Sequence, residues 1–264
     1  MKIGFIGCGN MGSAMIGGIL RQGIFSKEDI IVSNLTPEGK ARSEKNLGVV
    51  TTLDNKEVVR SAKTVVLAVK PQFYEEVLDE VHDSLTEEHI IIGIAPGKTL
   101  AWLEEKAGLP LKVVRFMPNT PAQVGEGMTA VCANERVSQE ELAEILKITD
   151  SFGCTEVIPE RLMDAAGAVG GCAPAYVFMF IEAMADAAVS QGMPRKQAYK
   201  FASQTVLGSA KMVLETGKHP GELKDMVCSP AGTTIEAVRV LEEKGFRSSV
   251  IEAMKTCEEI SKSM

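Results

Sequence analysis

Short runs of β-branched residues alternate with stretches of helical spacing through the first half of the chain. Lys2 to Ile6 is an apolar run that ends in glycines, Met11 to Gln22 is compatible with a helix, and Ile30, Ile31 and Val32 form a second strand-like run. This opening predicts a βαβ unit of about 30 residues. The alternation then predicts helix at Pro37 to Asn46, a short strand centred on Val49, helix at Asn55 to Ser61 and a buried strand at Thr64 to Val69. It continues with helix at Phe73 to His82, strand at His89 to Ile94, helix at Leu100 to Lys106 and strand at Lys112 to Phe116. Strands separated by helices predict a parallel sheet covered on both faces and joined by right-handed crossovers. Met128 to Ala133 and Thr155 to Ile158 are further strand candidates on either side of a charged helix from Ser138 to Phe152.

Beyond about Glu160 the β-branched clusters become rare and helical spacing takes over. Leu162 to Ala168, Ala175 to Gln191, Arg195 to Glu215, Pro220 to Val227, Thr233 to Glu243 and Phe246 to Ser261 are the predicted helices, punctuated by Gly192, Pro194, Gly217, Pro230 and Gly245. The expected organisation is an α/β domain over residues 1–160 and an all-α domain over 161–264. Ala175 to Gln191 is apolar nearly all round, broken only by Glu182, Asp186 and Ser190, which marks a helix buried on several sides. A domain of about 100 residues seldom surrounds such a helix alone, so this part is expected to form a homodimer interface. A central helix inside one monomeric bundle is the alternative.

Composition narrows the function. The chain has 264 residues and a formal net charge of −7, which favours solubility and works against broad binding to nucleic acid or anionic membrane. A small-molecule partner is therefore expected. The uncharged run from Ile3 to Leu20 carries too many glycines for an export signal. The run from Ala165 to Ile181 is short for a membrane span and is interrupted by Gly170, Gly171 and Pro174. The six cysteines show no C-x-x-C spacing, so they read as reduced thiols of a cytoplasmic protein, and no metal site is expected.

The strongest motif is Gly7-Cys8-Gly9-Asn10-Met11-Gly12, a G-x-G-x-x-G where a strand gives way to a helix. The first glycine permits the tight turn, the second admits a pyrophosphate to the backbone, and the third lets helix and strand pack closely. This predicts a Rossmann-type dinucleotide-binding domain, with a purely structural glycine turn as the alternative. No acid stands at the tail of the next strand, where NAD-preferring sites place one on the ribose 2′-hydroxyl. Ser33, Asn34 and Thr36 occupy that tail, with Lys40 or Arg42 nearby to supply charge to a 2′-phosphate. NADPH is thus the expected cofactor, with NADH as the alternative.

Three segments fall at the carboxyl ends of later strands, on the rim where open parallel sheets bind ligands. They are Ala68-Val69-Lys70-Pro71-Gln72, Ala95-Pro96-Gly97 and Met117-Pro118-Asn119-Thr120-Pro121. Lys70 can meet a phosphate or a substrate anion, and Asn119 offers an amide to substrate or simply forms the turn. In the helical part, Ser229-Pro230-Ala231-Gly232-Thr233-Thr234 precedes a helix. Free backbone N–H groups at such a start bind a carboxylate, and ordinary capping is the alternative. His82, His89 and His219 all read as surface residues, and no H-E-x-x-H, G-x-S-x-G or paired-carboxylate motif occurs. The chemistry expected is one that needs little acid–base assistance, such as hydride delivery to an activated acceptor.

The order of these pieces resembles the Δ1-pyrroline-5-carboxylate reductase family over essentially the whole chain. The resemblance rests on F-I-G-C-G-N-M-G (Phe5 to Gly12), A-V-K-P-Q (Ala68 to Gln72), F-M-P-N-T-P (Phe116 to Pro121), C-A-P-A-Y (Cys172 to Tyr176) and D-M-V-C-S-P-A-G-T-T-I (Asp225 to Ile235). It implies a Rossmann domain followed by an all-α dimerisation domain, often assembled as rings of dimers. It also implies NAD(P)H-dependent reduction of a cyclic imine to L-proline. By position, Gly7 to Gly12, Asn34, Asn55 and Ala68 to Lys70 would contact the dinucleotide, with Ser33 and Pro71 beside them. Gly232, Thr233 and Thr234 would hold the substrate carboxylate, with Ser229 and Asn119 as further substrate contacts and Thr234 as the catalytic hydroxyl near the ring nitrogen. The chain departs from the family pattern at Ala173, where many members have Gly, and at Met226, where some have Asn. Two other readings stay open. A β-hydroxyacid dehydrogenase would carry a Lys on a long interdomain helix, which Ala175 to Gln191 lacks; a dinucleotide-sensing regulator would bind cofactor without turnover.

Overall fold

The computed structural model describes residues 3–262. Met1 and Lys2, at the head of the expected first strand, and Ser263 and Met264, at the tail of the expected helical domain, lie outside the described residues. The chain separates into two compact units, one running to Cys172 and resuming at Cys257, the other comprising Ala173–Thr256.

The first unit is built on an eight-stranded sheet of order β3-β2-β1-β4-β5-β6-β7-β8. Its strands are β1 (Ile3–Ile6), β2 (Ile30–Ser33), β3 (Val50–Thr52), β4 (Thr64–Leu67), β5 (Ile90–Gly93), β6 (Lys112–Met117), β7 (Gly127–Ala133) and β8 (Gly153–Val157). All neighbours pair in parallel except β6 and β7, which are antiparallel. The all-parallel expectation is corrected there. The segment between those two strands holds only a 3-10 turn, Thr120–Val124, closed by Gly125 at φ +81°, and a parallel return needs a crossover of a dozen or more residues.

Side chains alternate across the sheet, and both faces are buried. Phe5, Val66, Ile92, Val114 and Phe116 pack on one face with Ile16, Ile19, Ile145, Ile148 and Phe152. The last five belong to or adjoin α1 (Asn10–Arg21) and the charged helix Gln139–Asp150. Ile31, Val65, Leu67 and Ile91 face the other way, onto Val58, Leu78 and Leu103. Those come from three helices, Asn55–Ser61, Tyr74–Val81 and Leu100–Ala107. With α2 (Pro37–Leu47) between β2 and β3, these helices are α3, α4, α5 and α6 in chain order. Their starts are chemically marked: Thr36, Asp54 and Thr99 cap α2, α3 and α5, and Ser138 with Glu141 forms a capping box on α6.

Past β8 the chain enters α7 (Met163–Ala166), a π-helical turn (Gly167–Cys172) and α8 (Ala173–Ser190). The interruption expected at Gly170, Gly171 and Pro174 does not occur; Glu160–Ser190 is one helical run of 31 residues. Pro174 has no N–H to give the carbonyl four residues earlier, and Asn119 Nδ2 donates to that carbonyl, Gly170 O, at 3.0 Å instead. By length and composition this run is long and apolar enough to cross a membrane, contrary to the expectation from Gly170, Gly171 and Pro174. Its beginning is fixed to the sheet: Arg115, only 4% exposed, pairs with Glu160 at 2.8 Å. Met163 and Ala168 are buried as well, which is why the first compact unit extends twelve residues past the expected boundary at 160.

The second unit holds α8, α9 (Arg195–Thr216), α10 (Pro220–Val227), α11 (Thr233–Glu243) and most of α12 (Phe246–Lys262). Its core is slight. Ala185, Ala198 and Ala202 are the buried members, wrapped by Ile181, Met184, Ala188, Val189 and Met193. Meanwhile Met179 is 67%, Phe201 64% and Leu214 82% exposed.

Tyr74 braces the rim of the sheet. Fully buried, it donates from its hydroxyl to Leu67 O at 2.6 Å and accepts from Ile94 N at 2.9 Å, joining the ends of β4 and β5. Burial holds its phenol well above the usual range, so it stays neutral and able to donate. Tyr74→Phe strands two buried backbone groups and is expected to destabilise the fold by about 1–3 kcal/mol; urea unfolding monitored by circular dichroism checks this, and an unchanged midpoint would refute it.

Candidate active site

The sheet order reverses at β1, which lies between β2 and β4, and the glycine turn occupies the carboxyl end of that strand. Gly7 has φ +93° and faces Ala68 O and Val69 Cγ1, each 2.9 Å from where a Cβ would stand. Gly12 is pressed between Gly7 O and Ala68 Cβ, at 3.2 and 3.3 Å from its own missing Cβ. A side chain at Gly7 would collide with the β4 rim, and one at Gly12 would need Gly7 O and Ala68 Cβ to give way by a few tenths of an ångström. Gly9 has open space instead and is the residue that caps α1, without a side-chain hydrogen bond. The first N–H groups of α1 are therefore left for an anion, in the positive end of the helix dipole. Cys8 and Met11 are half-buried and pack against the core, and the Cys8 thiol lies 3.3 Å from Ser13 Oγ.

Beside the turn lies a cavity of about 330 Å³ lined by Cys8, Gly9, Asn10, Ser13, Arg42, Ser43, Asn46 and Leu47. Asn34 lies behind Ser43, accepting from its hydroxyl at 3.0 Å, and its Nδ2 is buried with no partner among the described residues. An orphaned donor, an open glycine and an uncapped helix start together fit a dinucleotide. The other expected contacts divide. Ser33 is buried and donates to Asn55 Oδ1 at 2.6 Å, and Asn55 in turn donates to Glu80 at 2.7 Å. Ser33 thus acts behind Asn55. Thr36 is committed to capping α2, accepting from Gly39 N. Lys40 pairs with Glu44 at 2.6 Å, whereas Arg42 lines the cavity with no ion pair among the described residues. Of the two cations expected near a 2′-phosphate, Lys40 is thus engaged with Glu44, and Arg42 is the one at the cavity.

At the rim of β4, Ala68 and Val69 wall the glycine turn, and Lys70 stands exposed before a 3-10 turn that begins with Pro71. Asn119, expected as a substrate contact or a turn former, uses its whole amide within the fold. Its Oδ1 accepts from Met128 N at 2.9 Å while its Nδ2 serves Gly170 O, and the residue is buried. The histidines take structural roles: His82 bonds Ala107 O, His89 bonds Val59 O and the Thr86 turn, and His219 accepts from Gly221 N at the start of α10. Among the described residues no group of three His, Cys, Asp or Glu gathers as metal ligands.

The threonine cap belongs to the second unit. Ser229 to Gly232 close a β-turn, Gly232 N donating to Ser229 O at 3.0 Å, with Pro230 second and Ala231 third at φ +57°. Ala231 is the non-glycine residue in left-handed backbone among the described residues, at the turn position that prefers glycine. A side chain at 232 would collide with Ser229 Oγ. Gly232 is the cap position of α11 and has no side chain to satisfy its first N–H groups, while Thr233 and Thr234 form the first turn. Thr234 is half-buried and Thr233 exposed.

Sequence patterns had no means of finding Tyr74, the Arg115–Glu160 pair or the Asn119–Gly170 bond, whose partners are 7 to 51 residues apart. A charged residue between apolar neighbours, as Arg115 is between Val114 and Phe116 in β6, was the one available signal.

Residues 160–264 match the family model described as pyrroline-5-carboxylate reductase dimerisation, and residues 2–97 the model described as NADP oxidoreductase, coenzyme F420-dependent. The pyrroline-5-carboxylate reductase of Escherichia coli (strain K12) is 53% identical over 263 residues, covering 100% of this chain and 98% of its own. That of Methanosarcina acetivorans is 43% identical over 263 residues, covering 100% and 97%. The crystal structure of Plasmodium falciparum pyrroline carboxylate reductase with NADP bound has a TM-score of 0.91 at 35% identity, covering 100% of this chain and 97% of that one.

Arg42→Ala removes the free cation of the cavity. It is expected to weaken NADPH binding by about 10- to 100-fold, one charge-assisted contact of about 1.5–3 kcal/mol, and to leave NADH binding nearly unchanged. Titration of each reduced cofactor by fluorescence checks this; equal losses for both would reject the assignment.

Proposed function

The chain belongs to the pyrroline-5-carboxylate reductase family, and from that premise we propose which residues carry its reaction, the NAD(P)H-dependent reduction of Δ1-pyrroline-5-carboxylate to L-proline. The glycine turn, Gly7 to Gly12, and the free N–H groups of α1 hold the pyrophosphate. Asn34, Ser43 and Arg42 receive the ribose phosphate end, which favours NADPH with NADH as the alternative. Asn55 and the rim residues Ala68 to Pro71 complete that grip, with Ser33 supporting Asn55. When bound, the cofactor supplies a hydride.

The imine is held at the start of α11. Backbone N–H groups of Gly232, Thr233 and Thr234 clamp its carboxylate, Ser229 shapes the turn, and the Thr234 hydroxyl orients the ring nitrogen. The observation that carries this assignment is the uncapped start of α11 amid three hydroxyl side chains. Capping by serine or threonine is the usual outcome, and its absence leaves donors for an anion. The chemistry suits such a site. A protonated cyclic imine already carries positive charge, so hydride adds at C5 and the electron pair of the C=N bond settles on nitrogen. The protein aligns the reactants and needs no histidine base.

Residues 161–264 act as the dimerisation and substrate-binding domain in this reading. Support comes from the family match over residues 160–264 and from the exposed apolar side chains of α8 and α9. A second copy of the chain covers that surface, and the long apolar run serves this interface and not a membrane. Rings of dimers, a cytoplasmic location and the absence of nucleic-acid partners belong to the same proposal.

Thr234→Ala is expected to lower kcat/KM for the imine by about 10- to 100-fold, equivalent to about 1.5–3 kcal/mol, while Thr234→Ser retains most activity. Cofactor oxidation followed by absorbance measures it, and an unaltered Ala variant would remove Thr234 from the site. Dimer-dependent folding makes a separate prediction: the thermal midpoint should rise with protein concentration, and calorimetry showing a midpoint independent of dilution would exclude an obligate dimer.

A further inference from the structure

The second unit is contributed by the chain between Cys172 and Cys257, the residues that close its two ends. These cysteines are 85 positions apart, yet their sulfurs lie 2.7 Å from each other, Cys257 Sγ donating to Cys172 Sγ. The approach does not rest on the sulfurs alone. One helical turn further along α12, Ser261 Oγ donates to Asp164 Oδ1 at 2.9 Å, so the end of α12 is held against the α7 and π-helical segment at two points. Neither sulfur is needed for the reaction described above, and the other four cysteines make no contact with a second thiol among the described residues.

We propose that Cys172 and Cys257 are a thiol–disulfide modification site, oxidised by low-molecular-weight disulfides of the glutathione type. One cysteine thiolate attacks the small disulfide, forming a mixed disulfide and releasing one thiol. The second cysteine loses its proton, attacks the protein-bound sulfur and expels the other thiol, so that two protein thiols become one disulfide and one small disulfide becomes two thiols. Burial, with the adjoining Cys257 sulfur, pushes the Cys172 thiol up to about 11, so exchange at neutral pH is slow and is judged at equilibrium. The product is a covalent ring containing the whole second unit.

Full-length protein equilibrated in glutathione buffers from fully reduced to strongly oxidising, then acid-quenched and digested without reductant, gives the test. The expected result is a cross-linked peptide pair containing Cys172 and Cys257, an intact mass lower by two hydrogens, and a thermal midpoint higher by roughly 5–10 °C from closure of a long loop. Dithiothreitol should reverse all three. Cys257→Ser should keep the reduced protein's activity while losing the cross-link and the thermal gain. Glutathione adducts without the cross-link, a cross-link through other cysteines, or no change at the most oxidising ratio would each overturn the proposal.

Discussion

The structure turns on how closely three backbones approach where β1, α1 and the end of β4 meet. Gly7 and Gly12 lack the atoms that would hold these segments apart, and Ala68 is small enough to complete the contact. Because the contact lies where the sheet order reverses, it also creates the crevice in which parallel sheets bind nucleotides. The helix start is left without a side-chain cap at the same point. One steric requirement therefore fixes the packing of the first unit and the position of its anion site together. The bracing of the rim by Tyr74, and of the β6 end by Asn119, keeps the surrounding strand ends in register with that crevice.

The second unit poses the opposite physical problem. Its described helices bury three alanines and leave large apolar side chains on α8 and α9 in contact with water. Hydrophobic burial of this extent is too small to offset the conformational entropy of ordering so many residues. In the proposed reading a subunit partner supplies the missing area, and assembly and folding become one equilibrium. The substrate-binding cap is part of this same unit, so the integrity of the imine site is tied to assembly in the reading given above.

Electrostatics is used sparingly. Among the described residues, the cavity beside the glycine turn holds one guanidinium with no ion pair, Arg42, while neighbouring charges such as Lys40 and Glu44 neutralise each other. The substrate cap relies on backbone N–H groups and hydroxyls. In the proposed reading both sites take anions on backbone donors, hydroxyls and one guanidinium, which accords with a reaction whose acceptor carries its own charge. The histidines, committed to backbone contacts elsewhere, have no part in it.

Much of this was legible in the residues themselves. Helix and strand positions follow from hydrophobic period and from caps such as Thr36, Asp54 and Ser138, because these are local interactions along the chain. The glycine turn and the Ser229 to Thr234 cap were legible for the same reason: backbone conformation and a helix start are set by adjacent residues. The antiparallel β7, the unbroken helix through Gly170 and Pro174, the structural use of Asn119 and the Lys40–Glu44 pair were not. Each depends on which groups meet across space: a carbonyl left open by a proline 51 residues from the amide that satisfies it, or a lysine drawn off by a neighbouring glutamate. Local sequence determined the elements and the kinds of chemistry available, and tertiary packing decided which side chains remained free to perform it, because a buried polar group takes the nearest partner the fold provides.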